Sequence, residues 1–227
     1  MTEIPITGAA ARRARNREEM YGAILGAARQ IVDEQGADKL TLRGIAQQLG
    51  YSAGAIYDYF ASKEDILEAL YFLGTDGLSG HMAARLASLP ADTPTIDALV
   101  ALAETYREYA HAHVDLYWLT FSGLKHRPEP IKLDEQDNHL AGFAPLLEVI
   151  HTGIANGALV DDIPPFDMAV SAWSAVHGFV SLELSGHMKD DLREQASSCL
   201  ADRTIQKRDD LFATLVRMVL SGFLRRD

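Results

Sequence analysis

Cysteine is almost missing from this chain: Cys199 stands alone among 227 residues. One thiol closes no internal disulfide framework, so the chain is expected in a reducing, cytoplasmic setting. Cys199 lies in a polar stretch without a resolving partner or an evident base. It reads as an incidental thiol, with a redox sensor as the alternative. No run of roughly 18 apolar residues occurs, which argues against a membrane-spanning helix, and no membrane partner is expected. The first residues, MTEIPITGAAARRARNREE, contain no apolar signal core. H-E-x-x-H is absent, and so is a glycine-rich phosphate loop after a strand. His111 and His113 are spaced two apart, and a helix turns such side chains away from each other. Serine, histidine and aspartate occur without a recognisable catalytic arrangement. No catalytic residue, metal or cofactor is therefore expected.

Convincing strands and internal repeats are lacking as well. What is present is a composition 48% hydrophobic, ample for a core, at a length that fits one small and one larger domain. The net charge of −11 is unevenly spread. Residues 1–64 balance acid and base, so the whole excess falls in 65–227. Such a body would steer a polyanion toward the amino-terminal part rather than repel it altogether.

That part holds the densest information, TLRGIAQQLGYSAGAIYDYF at 41–60. Ile45, Ala46 and Leu49 make one apolar helical face. Ala46 is small and allows close approach of another helix. Gly50 can take the left-handed conformation that ends a helix. Ser52 can cap the next helix through its hydroxyl. Ile56 and Phe60, four apart, share its inner face, while Tyr57 and Tyr59 lie off it. Two short helices around a tight turn form a helix-turn-helix, whose second helix enters the major groove of DNA.

The stretch from about Arg17 to Leu70 resembles the DNA-binding domain of the TetR family of transcriptional regulators. REEMYGAILGAARQIVDEQG would be its first helix, with Met20, Ile24, Ala27, Ala28 and Ile31 buried and Gly36 closing it. Thr41, Ile45-Ala46, Gly54, Tyr57, Phe60 and Ser62-Lys63-Glu64 follow in the family's order and spacing. The resemblance implies that Thr41, Tyr57, Tyr59 and Lys63 face phosphates. Helix amino termini and lysine both suit an anion. Arg43 is the best candidate for base readout, since arginine pairs bidentately with guanine. Tyr51, Ser52, Ala53 and Ala55 would touch base edges, and Gly54 would let the backbone come close. Residues 1–16 are expected as a flexible basic arm, with Arg12, Arg13, Arg15 and Arg17 ahead of the first helix. Such an arm can follow the DNA backbone, enter a minor groove, or remain a solvated tail.

Three positions depart from the family. Gly44 gives Thr41 no reciprocal capping-box partner. Ala53 stands where Lys or Arg is frequent. Asp58 puts an anion in the reading helix. Together they point to modest affinity per monomer and to a dimer.

The remainder reads as helices. One starts at Ser62, with Gly74, Gly77 and Gly80 as kinks or breaks. Others are expected at about Ile96 to His113, Asp115 to Leu124, Lys132 to Asn156 with a kink at Pro145, Pro165 to His187, and Asp209 to Leu224. Pro128 and Pro130 mark a loop, and Lys189 to Lys207 a polar connection. The fold class is all-α: a three-helix helix-turn-helix head, 17–64, followed by a larger helical effector-binding and dimerisation domain, 65–227.

In that second domain, Trp173, His177 and Gly178, followed by Leu182 and Glu183, resemble the Trp-His-Gly motif of one TetR C-terminal class. The resemblance implies a homodimer through the last two helices, and Leu211, Leu215, Met218, Val219 and Phe223 offer a face for it. Tyr106, Tyr109, His113, Tyr117, Trp118 and Phe121 crowd aromatics onto consecutive helices. His113, Tyr117, Trp118, Phe121, Trp173 and His177 are the candidate lining of an effector pocket, an ordinary core being the alternative for each. The expected function is a DNA-binding transcriptional regulator, a repressor released from a palindromic operator on double-stranded DNA by a small molecule. A helical adaptor of the same fold without DNA binding is the alternative.

Overall fold

The computed structural model describes residues 8–121, 141–188 and 208–225. Its helices are α1 (Gly8–Gln35), α2 (Leu42–Leu49), α3 (Ala53–Tyr57), α4 (Lys63–Ser88), α5 (Thr95–Ala112), α6 (Val114–Phe121), α7 (Ala144–Ala155), α8 (Pro165–Leu184) and α9 (Arg208–Ser221). Single 3-10 turns occupy Ala37–Lys39 and Ala141–Phe143. No named strand occurs among the described residues; Leu159 and Leu224 form an isolated antiparallel bridge. Cys199, the Pro128–Pro130 loop, the expected helix start at Lys132 and end at Leu124, and the connection from Lys189 to Lys207 lie outside the described residues.

The chain separates into two compact units, Met1–Gly74 with Asp115–Lys132, and Thr75–Val114 with Leu133–Asp227. This division differs from a single cut between residues 64 and 65. The first unit, the head, takes in α6 as well as α1 to α3.

The head is built on one apolar cluster. Ile24, Ala28, Ile45, Ala46, Ile56, Phe60, Ile66 and Leu70 are buried together, and Leu119 of α6 joins them. Removing that area from water is the main force holding such short helices in place. The local signals agree. Gly36 at φ 88° and Gly50 at φ 73° take left-handed conformations, which cost glycine little. The Gly50 and Tyr51 amides turn back onto the Ala46 carbonyl, closing α2 as a Schellman-type end. Arg29 of α1 makes a two-pronged ion pair with Asp115 at the start of α6, its Nη2 donating to Oδ1 over 2.8 Å.

Three expectations need correction. The residues expected as a flexible arm are helical from Gly8 onward, so Arg12, Arg13, Arg15 and Arg17 ride on α1. Helix α4 runs unbroken through Gly74, Gly77 and Gly80. Two of those glycines make room for neighbours. A methyl at Gly74 would sit 2.7 Å from Thr120 Oγ1, and one at Gly77 would collide with the Tyr109 hydroxyl. Pro145 kinks nothing, because it occupies the first turn of α7, where its missing N–H costs no hydrogen bond.

The second unit, the body, packs α5, α7, α8 and α9 against one another. Inward stripes of Leu99, Leu102 and Tyr106, of Met168, Val176 and Val180, and of Phe212, Val216 and Leu220 supply its core. The buried Glu183 carboxylate receives two hydrogen bonds from Arg107, at 2.7 and 2.8 Å, and lies 3.2 Å from His111 Nε2. The Arg107 guanidinium also covers the Phe212 ring, 4.9 Å from its centroid. Near the carboxyl end, Val160 donates to Phe223 O, Arg225 N donates to Ala158 O, and the Arg225 side chain pairs with Asp161 at 3.0 Å.

Candidate nucleic-acid face and body cavity

Thr41 and Ser52 set the two short helices. The Thr41 hydroxyl accepts from Gly44 N at 3.0 Å and the Ser52 hydroxyl from Ala55 N at 3.3 Å, each satisfying an orphan amide of a first turn. Ile56, fully buried, fastens α3 from beneath. The opposite side is then forced outward. Tyr51 and Tyr57 are 56% and 58% exposed, unusual for large rings unless they meet a partner. Arg43, Ser52 and Gly54 are exposed, while Ala53 and Ala55 are half-buried. Lys63 opens α4 with its Nζ donating to Asp38 O at 3.2 Å.

Tyr59 is placed differently from Tyr57. It follows α3 rather than belonging to it, and its ring packs against the head core. The Arg17 guanidinium lies over it, 5.5 Å from the ring centroid. Tyr21 stacks on Phe60 at 5.0 Å. These two contacts seat the start of α1 beside the end of α3. Sequence reasoning missed this because both are long-range pairings of ordinary residues.

In the body, apolar side chains surround a cavity that is partly open to solvent. Met82 of α4, Leu102 and Ala103 of α5, Leu146 of α7, Trp173 of α8 and Leu220 of α9 line it. Tyr106 also lines it, and its hydroxyl is 2.8 Å from His177 Nδ1. Trp173 stacks on His177 with centroids 5.2 Å apart. Burial pushes the His177 imidazole below its ordinary pKa, favouring the neutral ring.

The sequence-predicted pocket residues divide. Trp173 lines the cavity, and His177 is hydrogen-bonded to a residue that does. His113 packs against the Tyr109 ring at a tilt, centroids 4.5 Å apart, and is not among the lining residues. Tyr117, Trp118 and Phe121 pack on one another in α6, within the head unit. The aliphatic lining had no signal in the sequence apart from helical period. On α9, Met218 is 69% exposed and Leu211, Leu215 and Val219 are half-buried, but Phe223 turns inside. Across α8, Ser171, Ser174, Gly178 and Leu182 are exposed.

A core-anchored pair of capped helices with tyrosines turned out, together with a separate helical body, defines a helix-turn-helix regulator. The comparisons agree. Residues 24–70 match the family model of bacterial regulatory proteins of the tetR family, and residues 99–207 match the tetracyclin repressor-like C-terminal domain. An HTH-type transcriptional regulator of Mycobacterium tuberculosis, Rv0681, is 30% identical over 74% of this chain and 72% of its own. The HTH-type transcriptional repressor AcnR of Corynebacterium glutamicum is 24% identical over 82% of this chain and 92% of its own. A solved structure from Rhodococcus sp. RHA1 shares the fold with a TM-score of 0.70, at 22% identity over 90% of this chain and 95% of that one. The chain belongs to the TetR family of transcriptional regulators. It is a DNA-binding regulator, and no described helix is long and apolar enough to cross a membrane.

Proposed function

We propose that this regulator is a repressor that binds a palindromic operator as a homodimer and leaves it when a small molecule occupies the body. The carrying observation is the outward pair of Tyr51, in the turn between α2 and α3, and Tyr57, at the end of α3, above a side locked by the buried Ile56 and Phe60. A rigid platform keeps those hydroxyls aimed at a duplex without an ordering cost at binding. Thr41, Tyr57 and Lys63 would hold phosphates, with Tyr59 steadying Arg17 beside them. Arg43 would read a guanine, and Tyr51, Ser52, Ala53, Gly54 and Ala55 would approach base edges. The likeness to a named repressor supports repression over activation.

The arginine-bearing start of α1 extends this interface. Arg13 and Arg17 precede Ile24, Ala28 and Ile31 on one helical stripe. Downstream that stripe faces the core that holds α3; upstream of the core it carries cations to the same side. Arg12 and Arg15 fall on the other side of the helix.

The exposed α8 strip of Ser171, Ser174 and Gly178, with Leu182, and the neighbouring Met218 of α9 would meet a second copy. Small residues allow helices of two copies to approach, and a two-fold axis matches two half-sites. The stacked Trp173 and His177 with Gly178 support membership of the Trp-His-Gly class. Selection of bound DNA from a random library tests the reading directly. A palindromic consensus is expected; recovery of no sequence at low ionic strength would leave the adaptor reading in its place.

A further inference from the structure

The cavity in the body has a single chemistry, and it restricts what can occupy it. Its lining among the described residues is aliphatic or aromatic, and Tyr106 brings the hydroxyl. No lysine, arginine, aspartate or glutamate lines it among those residues. Arg107 of α5 and Glu183 of α8, both in the same body, are committed to each other through two hydrogen bonds of 2.7 and 2.8 Å. Breaking that pair to serve a ligand would strand one buried charge.

We propose that the effector is an uncharged, mostly apolar small molecule that fills the space between α5, α8 and α9 and directs its polar group, a hydroxyl or carbonyl, at the Tyr106–His177 pair. The proposal rests on the effector reading above and adds the ligand's chemical class. A carboxylate or an ammonium directed at this pair would leave water without a counter-ion, a loss that opposes the gain from its alkyl contacts. A neutral hydroxyl loses far less and meets a hydroxyl and an imidazole nitrogen 2.8 Å apart, which can donate or accept according to tautomer. Burial lowers the pKa of that imidazole and favours its neutral form, so it offers an acid little positive charge. The apolar remainder of the ligand gains from leaving water in proportion to its area.

The test compares three molecules with one skeleton: octan-1-ol, octanoate and octylamine, each added to the full chain at neutral pH. Binding is read from the rise in the unfolding temperature, which follows occupancy of the folded state. The alcohol should raise it, with an affinity at least about tenfold above either charged analogue. Equal or tighter binding by octanoate or octylamine overturns the proposal, as does a failure of octan-1-ol to bind. Ala103→Leu and Ala175→Leu, on different helices, each narrow the cavity. Both should melt cooperatively and lose the alcohol's effect, and an undiminished shift in both variants would place binding elsewhere and overturn the proposal. Operator retention is measured in the same samples. Tight binding of the alcohol without DNA release would remove the effector reading while the ligand class stands.

Discussion

Arg29 and Asp115, separated by 86 positions in sequence, form the two-pronged ion pair that ties the start of α6 to α1 inside the head. The carboxylate is only 10% exposed. Burial alone would raise the Asp115 pKa, but the Arg29 hydrogen bonds, a backbone amide and the guanidinium charge outweigh it, and the net shift is downward. A folded-state pKa below the unfolded one adds stability that is complete above the ordinary carboxylate range, begins to fall there and is lost as pH falls through the lower folded value. Asp115→Asn should therefore cost about 1 kcal/mol near neutrality. The cost should shrink in acid, as read from urea midpoints at pH 7 and pH 3. A penalty that persisted unchanged at the lower pH would contradict the ionic account.

The phosphate and base roles can be separated by salt and by sequence. Tyr57→Phe with Lys63→Ala should weaken binding to every duplex alike and flatten the salt dependence. Arg43→Ala should instead relax preference at one base pair, by about 1–3 kcal/mol. Fluorescence anisotropy on matched and mismatched operators reads both.

The register of α1 predicts an asymmetry between arginine pairs. Arg13→Ala with Arg17→Ala should lower the slope of log affinity against log salt by roughly 0.9 for each phosphate left without its cation. Arg12→Ala with Arg15→Ala removes the same charge from the other side of the helix and should change the slope much less. Equal changes in the two variants would mean that charge alone, and not its placement, matters.

Glu183 is fully buried at its side chain. Arg107→Met should destabilise the body by about 3–5 kcal/mol, because it strips that buried carboxylate of its permanent charge partner and leaves only His111 beside it. Arg107→Met combined with Glu183→Leu should recover most of the loss. Thermal and urea unfolding of the two variants decides the matter, and a double variant no better than the single one would point to packing by Arg107 over Phe212 as the larger effect.

His177 gives the body its own pH response. Its folded-state pKa is depressed by burial, so the neutral ring's stability is complete above the ordinary imidazole range. It declines as acid protonates the unfolded chain first, and the loss is finished below the folded value. Replacing His177 by Gln removes this titration. The stability gap between wild type and variant should shrink between pH 8 and pH 5 in urea melts; a gap independent of pH would deny the imidazole that part.

The head was legible because its signals are local. Gly50, Ser52, Thr41 and the Ile45, Ile56, Phe60 periodicity each act within a turn or two of their own position. The long helix α4 was not legible, because Gly74 and Gly77 look like breakers until Thr120 and Tyr109 arrive from elsewhere and occupy the space a side chain would need. The same holds for α1, where an arginine-rich stretch reads as a tail although its turns continue from a well-packed helix. Aromatic crowding makes Tyr117, Trp118 and Phe121 look like pocket residues. The space itself is walled largely by leucine, valine and alanine, whose periodicity is that of any core.

The bridge between Leu159 and Leu224 gives the carboxyl end more weight than its length implies. Clipping the chain after Ser221 would discard Phe223, its carbonyl acceptor for Val160, and the Arg225 links to Ala158 and Asp161 in one stroke. Leu159, sealed from solvent in the intact molecule, would be laid bare beside the turn that joins α7 to α8. A preparation nicked by a protease at that point would thus contain a population with a loosened body and a sound head, and its melting curve would split before its DNA affinity fell.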